Sequence, residues 1–184
     1  IMPREAIIDC DVVVVGTGAA GLMAGLAAAE GDAKVYVISK MPHRAPSPTT
    51  RAYGDVTWST DETTAELVRQ VVETGGFLSD QRRVRQFADA VPSMLNHLRI
   101  IGAQFDAPGP AGEGMPGTIR WSYRGVDAGE ELIGGFTDQS SAMHMWLCTA
   151  TEVLVNDGQA CGLAAIGLKA REPVIFRCPC VILA

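Results

Sequence analysis

Near its start the chain changes from an apolar strand pattern to a small-residue helix pattern and back. Four valines, Val12 to Val15, predict a buried parallel strand, because such strands are β-branched and apolar on both faces. Residues 20–30 are rich in Ala and Gly and predict a helix that Gly31 ends. Residues 34–38 predict a second strand. This order is a βαβ unit and predicts an α/β, doubly wound fold.

The middle of the chain has the apolar spacing of amphipathic helices. Predicted helices cover residues 63–73, 81–90 and 93–101. Asp80 is expected to cap the second of these helices, and Pro92 is expected to begin the third. Residues 106–118 are mostly turn formers and predict a surface loop.

Towards the end the pattern predicts one more helix and then short strands. The helix, over residues 138–150, rests on the spacing of Met143, Trp146, Leu147 and Ala150. A hairpin is predicted from residues 153–155 and 161–167 around an Asn-Asp-Gly turn. Two further strands are predicted over residues 173–177 and 180–183, and His97 and His144 are both expected to be helix residues.

Composition and charge exclude several classes of function. The formal net charge is −6 and no block of Lys or Arg stands out, so we expect no nucleic-acid partner. Residues 12–29 are rich in Gly and Ala and have no basic flank, so we expect neither a transmembrane segment nor a signal peptide. The five cysteines are odd in number and irregularly spaced, which predicts buried free thiols, no metal site and a cytoplasmic location.

A glycine motif lies between the first strand and the helix. Gly16, Gly18 and Gly21 have the GxGxxG spacing, which permits a tight turn, a close approach of a pyrophosphate, and close packing of helix on strand. With Ala19 and Ala20 they open the helix, whose free N–H groups and dipole attract phosphates. The motif predicts a dinucleotide site.

The residue that closes the second strand normally bonds the ribose of the dinucleotide and is usually acidic. Here it is Ser39, followed by Lys40. A serine hydroxyl still bonds a ribose hydroxyl, and Lys40 is either a phosphate partner or a solvated charge. On these residues alone NAD, NADP and FAD remain equally open.

Five stretches together carry a family resemblance. They are DVVVVGTGAAGLMAGLAAAE (residues 11–30), Ser39-Lys40, SPTTRAYGD (residues 47–55), TGGFLSD (residues 74–80) with the helices that lead to IGAQFD (residues 101–106), and the strand set from Leu154 to Ala184. In their order and spacing they resemble the flavoprotein subunit family of succinate dehydrogenase and fumarate reductase, which includes L-aspartate oxidase. The resemblance implies a Rossmann-like FAD-binding domain over residues 1–184 with a small β-meander insert.

The resemblance also implies which residues bind FAD. The family's loop that wraps the flavin corresponds here to Ser47, Thr49, Thr50, Ala52, Gly54 and Asp55. In the membrane-complex enzymes a histidine in this loop bonds covalently to FAD, and Pro48 stands in its place. Since proline carries no nucleophile, we expect noncovalent FAD.

The implied activity is that of an oxidoreductase that transfers hydride between flavin and a dicarboxylate-type substrate. An iron–sulfur electron-transfer subunit is the implied partner, and it would place the protein at the inner face of the membrane. The family's catalytic residues correspond to positions after Ala184, so the chain is expected to be a fragment, inactive alone. Two alternatives remain open: an NAD(P)-dependent Rossmann dehydrogenase and a non-catalytic flavin-binding scaffold.

Overall fold

The computed structural model describes residues 6–42, 45, 49, 55–100, 117–120 and 143–184. The chain divides into two compact units, one formed by Ile1–Arg51 with Gly129–Ala184 and the other by Ala52–Ala128. Each unit is described by itself. That residues 1–184 act as one FAD-binding domain stays a prediction.

Nine strands and three helices are found in the described part of the chain. In chain order they are β1 (Ala6–Asp9), β2 (Val12–Val15), α1 (Ala19–Glu30), β3 (Val35–Ser39), β4 (Asp55–Trp58), α2 (Thr64–Thr74), α3 (Gln81–Ile100), β5 (Gly117–Arg120), β6 (Met143–Asn156), β7 (Gln159–Gly167), β8 (Glu172–Arg177) and β9 (Cys180–Leu183).

The first unit is built on a seven-stranded sheet in the order β1-β8-β7-β6-β3-β2-β9. Strands β9, β2, β3 and the start of β6 are parallel, and α1 packs on this part. Strands β6, β7 and β8 are antiparallel and form the predicted meander. The predicted Rossmann-like α/β fold with a meander insert is confirmed. The edge strand β1, parallel to β8, was not predicted from the sequence.

The long strand β6 joins the two parts of this sheet and corrects the helix predicted over residues 138–150. Its first residues pair with β3, from Val35 opposite Met143 to Ser39 opposite Leu147, and the rest pairs with β7. Residues 138–142 lie outside the described part. The apolar spacing also fits a strand with apolar side chains on both faces: Met145 packs on the α1 side, while Trp146 contacts the rings of Tyr36 and Phe176. His144 is therefore a strand residue.

The second unit contains α2, α3 and the antiparallel pair β4 and β5. Helix α3 runs unbroken through Pro92, which corrects the two helices predicted here. A proline within a helix removes one backbone hydrogen bond, but Ala88, Val91 and Leu95 are buried together against α2 and hold the turns on both sides. The predicted cap is confirmed, because the Asp80 carboxylate accepts the N–H of Arg82 at 3.0 Å.

The predicted surface loop over residues 106–118 is described only at its end. Residues 106–116 lie outside the described part, and Gly117 and Thr118 belong to β5, so the prediction ran at least two residues too far. No helix in the described residues is long and apolar enough to cross a bilayer.

The core of the first unit lies between the parallel strands and the meander. Phe176 is fully buried there, among Val13, Ile38 and Leu163.

We expect Phe176→Ala to lower the free energy of unfolding by about 3–5 kcal/mol, because the cavity that it leaves cannot collapse fully. Val155 is 61% exposed and serves as the control, because Val155→Ala should change the free energy of unfolding by less than about 0.5 kcal/mol. Urea denaturation of both variants checks this, and equal losses would contradict the described core.

The cysteines are all free, but only three of the five are buried as predicted: Cys10, Cys148 and Cys178. Cys161 and Cys180 are exposed. Burial raises the pKa of the Cys10 thiol to about 12 and also raises the pKa values of the Cys148 and Cys178 thiols. No group of three or more metal-ligating side chains occurs within the described ranges.

These thiols should differ in reactivity. Because the thiolate is the reactive form, we expect two thiols, Cys161 and Cys180, to react quickly with a disulfide reagent at pH 8 in the folded protein. The other three should react only after unfolding in denaturant. Five fast thiols in the native protein would contradict the burial described here.

Candidate dinucleotide site

The glycine loop between β2 and α1 is closely packed against neighbouring backbone. The N–H of Gly16 donates to the carbonyl of Ile38 at 2.9 Å, and Gly16 has a φ of 123°, which favours glycine. A Cβ on Gly16 would lie 2.2 Å from the carbonyl oxygen of Ala184, and one on Gly21 would lie 2.2 Å from that of Gly16. Both positions need glycine to fold, whether or not a ligand binds.

Gly18 is different, because space is left beside it. Its φ is −75°, which any residue adopts. A Cβ there would have one neighbour within 4 Å in the described part of the chain beyond its own helix and adjacent residues, the Thr49 hydroxyl at 3.4 Å. Nothing in the described part of the chain requires glycine at this position. Among the described residues the cradle is thus open on the side from which a pyrophosphate approaches such a motif, and it fits the group that the motif predicts.

The first turn of α1 presents unpaired donors to this cradle. The Thr49 hydroxyl accepts the N–H of Ala19 at 3.1 Å. Among the described residues no acceptor is found for the N–H groups of Ala20 and Gly21, and the first turn contains no acidic residue. The helix end therefore retains donors and a positive partial charge for an anionic group.

Ser39 lies at the carboxyl end of β3, on the edge where parallel sheets bind ligands. Its hydroxyl accepts the N–H of Met41 at 3.2 Å, which leaves its own proton free to donate. It lines a cavity of about 240 Å³ together with Thr17, Trp146, Leu147 and Lys169. Lys40 is exposed and does not line this cavity.

Three residues that line this cavity were not predicted from the sequence. Trp146 and Leu147 come from β6, and Lys169 comes from the turn between β7 and β8, more than 100 residues from the glycine loop. Trp146 and Leu147 were missed because residues 138–150 were predicted to form a helix. With β6 recognised as a parallel neighbour of β3, the ligand rule for parallel sheets would have indicated them.

The flavin loop is only partly described. Ser47, Thr50, Ala52 and Gly54 lie outside the described residues, as does Pro48. Thr49 contacts the start of α1. Asp55 begins β4, and its backbone pairs with Arg120 in the second unit.

Comparison with known proteins identifies the family. The sequence pattern of the FAD binding domain family matches residues 11–177, which is most of the chain. The chain belongs to that family. Its cofactor is therefore FAD, which decides among the three dinucleotides that Ser39 and Lys40 left open.

Several proteins that are similar to this chain are named as reductases or dehydrogenases. The succinate dehydrogenase flavoprotein subunit of Bacillus subtilis is 28% identical over 94% of this chain and 32% of its own length. The fumarate reductase flavoprotein subunit of Mycobacterium tuberculosis is 30% identical over 86% of this chain and 29% of its own. The chain thus spans about a third of the length of these relatives.

Solved structures show the same fold. E. coli quinol fumarate reductase superposes with a TM-score of 0.81 at 22% identity, over 98% of this chain and 33% of that chain. The 3-ketosteroid-delta4-(5alpha)-dehydrogenase from Rhodococcus jostii superposes with a TM-score of 0.76 at 17% identity, over 100% of this chain and 48% of that chain. The fold of this FAD binding domain thus occurs in proteins named for chemically different substrates.

Two glycine substitutions should separate folding from cofactor binding. Gly16→Ala should lower the free energy of unfolding by more than about 2 kcal/mol, because of its positive φ and its contact with Ala184. Gly18→Ala should cost about 1 kcal/mol or less and weaken FAD binding more than about tenfold, since its methyl group enters the cradle. Thermal unfolding and FAD titration measure the two effects, and unchanged FAD affinity in Gly18→Ala would contradict the assignment.

Proposed function

We propose that this chain is the FAD-binding part of a flavoprotein oxidoreductase that transfers hydride between flavin and a dicarboxylate-type substrate. The observation that carries the proposal is the cradle beside Gly18 at the start of α1, which is open at a position where no described residue requires glycine. Membership in the FAD binding domain family favours flavin over a nicotinamide cofactor. When bound, FAD supplies the hydride chemistry, and the protein supplies binding and orientation.

Each proposed site residue has a separate task. The N–H groups of Ala20 and Gly21 bind the pyrophosphate, and Gly18 permits its approach. Thr49 holds the start of α1 through the N–H of Ala19, so it fixes the direction of those donors. Ser39 donates to a ribose hydroxyl at the end of β3. Lys40, Ser47, Thr50, Ala52, Gly54 and Asp55 remain proposed cofactor contacts on the basis of the resemblance alone.

The substrate and the partner are inferred from the relatives. Several of them are named fumarate reductase or succinate dehydrogenase, which favours a dicarboxylate. An iron–sulfur electron-transfer subunit is the partner that the resemblance implies. Because the chain spans about a third of those relatives, the groups that bind and protonate the substrate are expected outside it, and the chain alone should not turn over succinate or fumarate.

FAD is expected to bind noncovalently, because Pro48 offers no nucleophile. The purified chain should be yellow, and acid precipitation should leave FAD in the supernatant. Absorbance and mass spectrometry of both fractions measure this. Flavin that remains with the precipitated polypeptide would contradict the noncovalent prediction, and a colourless protein that takes up NADH instead would contradict the proposed function.

A further inference from the structure

Two buried cysteines lie at the edge of the first unit's sheet where β2 and β9 begin, opposite the edge that carries the glycine loop. Cys10 lies between β1 and β2, and Cys178 lies between β8 and β9. Their side chains are 8% and 4% exposed. The proposed cofactor site uses neither of them.

The strand register places Cys10 beside Cys178. Strands β1 and β8 run parallel with Asp9 opposite Arg177, and Cys10 and Cys178 are the next residue on each. The N–H of Cys10 donates to the carbonyl of Arg177 at 3.2 Å, which continues the pairing. Both side chains point to the core face, where they belong to one buried cluster with Phe176. Adjacent strands lie about 4.8 Å apart, and a disulfide spans Cα atoms roughly 4.4–6.8 Å apart.

The two thiols also interact with each other, because a hydrogen bond between their side chains shifts the pKa of each. Cys148 is buried as well, but it lies opposite Gly167 and not beside a cysteine. Cys161 and Cys180 are exposed. Within the described part of the chain, the register and the burial together mark Cys10 and Cys178 as a pair that can bond to each other.

We propose that Cys10 and Cys178 form a modification site, at which a peroxide oxidises the two thiols to a disulfide. The Cys178 sulfur attacks one oxygen of hydrogen peroxide, so that an S–O bond forms, the O–O bond breaks, and the thiol proton leaves with the other oxygen as water. The Cys10 sulfur then attacks the sulfur of this sulfenic acid. The S–S bond forms, the S–O bond breaks, and a second water leaves with the Cys10 proton. The thiols lose two electrons, which the peroxide gains.

Burial determines which oxidant acts at this site. The thiolate is the reactive form, and burial raises the pKa of Cys10 to about 12, so the reaction is slow near neutral pH. Hydrogen peroxide is scarcely larger than water and should reach thiols from which a bulky disulfide reagent is excluded. The new bond would join the edge strand β1 to the connection between β8 and β9.

The test uses the full chain with both exposed cysteines replaced, Cys161→Ser with Cys180→Ser, incubated with hydrogen peroxide at pH 8. After trypsin digestion, mass spectrometry should find residues 5–34 joined to residues 178–184 by a bond that dithiothreitol breaks. Oxidation should also raise the midpoint of thermal unfolding by about 5 °C or more, because the disulfide closes a long loop in the unfolded chain.

Two further variants are made in the same background. Cys148→Ala removes a buried thiol from the same core and is the matched control, so the joined peptides and the rise in midpoint should persist. Cys10→Ala should abolish both. The peptide map of the background chain does not depend on either variant, so it decides the question even where Cys10→Ala fails to fold.

Joined peptides that persist in Cys148→Ala and disappear in Cys10→Ala support the modification site. Free Cys10 and Cys178 in the folded chain after peroxide treatment, or a bond from either of them to Cys148, would overturn it. Neither readout requires bound FAD, and the two thiols lie apart from the glycine loop. Failure of this inference therefore leaves the proposed function unaffected, and a chain that binds no FAD leaves this inference standing.

Discussion

Three backbone segments meet at Gly16, and the rest of the first unit depends on how closely they approach. The Gly16 N–H is bonded to Ile38 at the end of β3, and the N–H of Ala184 donates to Val15 at 2.9 Å. A single Cβ at Gly16 or Gly21 would lie 2.2 Å from a carbonyl oxygen. Glycine at both positions therefore lets the backbones of β2, β9 and α1 pack closely. This packing places the N-terminus of α1 at the carboxyl edge of the parallel strands.

The carboxyl edge of the parallel strands also explains why residues that are distant in the sequence line the candidate site. Strand β6 begins as a parallel neighbour of β3 and continues into the meander, so Trp146 and Leu147 lie beside Ser39. The turn after β7 returns to this point, because the N–H of Leu168 donates to the carbonyl of Leu147 at 3.0 Å. In the proposed site the glycine loop thus provides the phosphate end, and the meander provides side chains for the remainder.

An element was predictable from the sequence when the residues that determine it lie close together along the chain. The βαβ unit was predictable because valine runs, glycine spacing and helix ends all lie within residues 11–39. The hairpin was predictable from its Asn-Asp-Gly turn, and Asp157 and Gly158 do have positive φ. The start of β6 was misassigned, since an apolar side chain every three or four residues also fits a strand with apolar side chains on both faces. Strand β1 depends on pairing with Ile175 and its neighbours, almost 170 residues away, and no local signal marks it.

We propose that the diphosphate of the cofactor binds at the N-terminus of α1, within the glycine loop. A ¹H–¹⁵N correlation spectrum of the 184-residue chain, recorded during titration with ADP, tests it at single residues. We expect the amide signals of Gly18, Ala20 and Gly21 to shift most, with the signal of Ser39 next and those of the α2–α3 residues unchanged. Saturable shifts elsewhere, with the signals of the glycine loop unchanged, would contradict it.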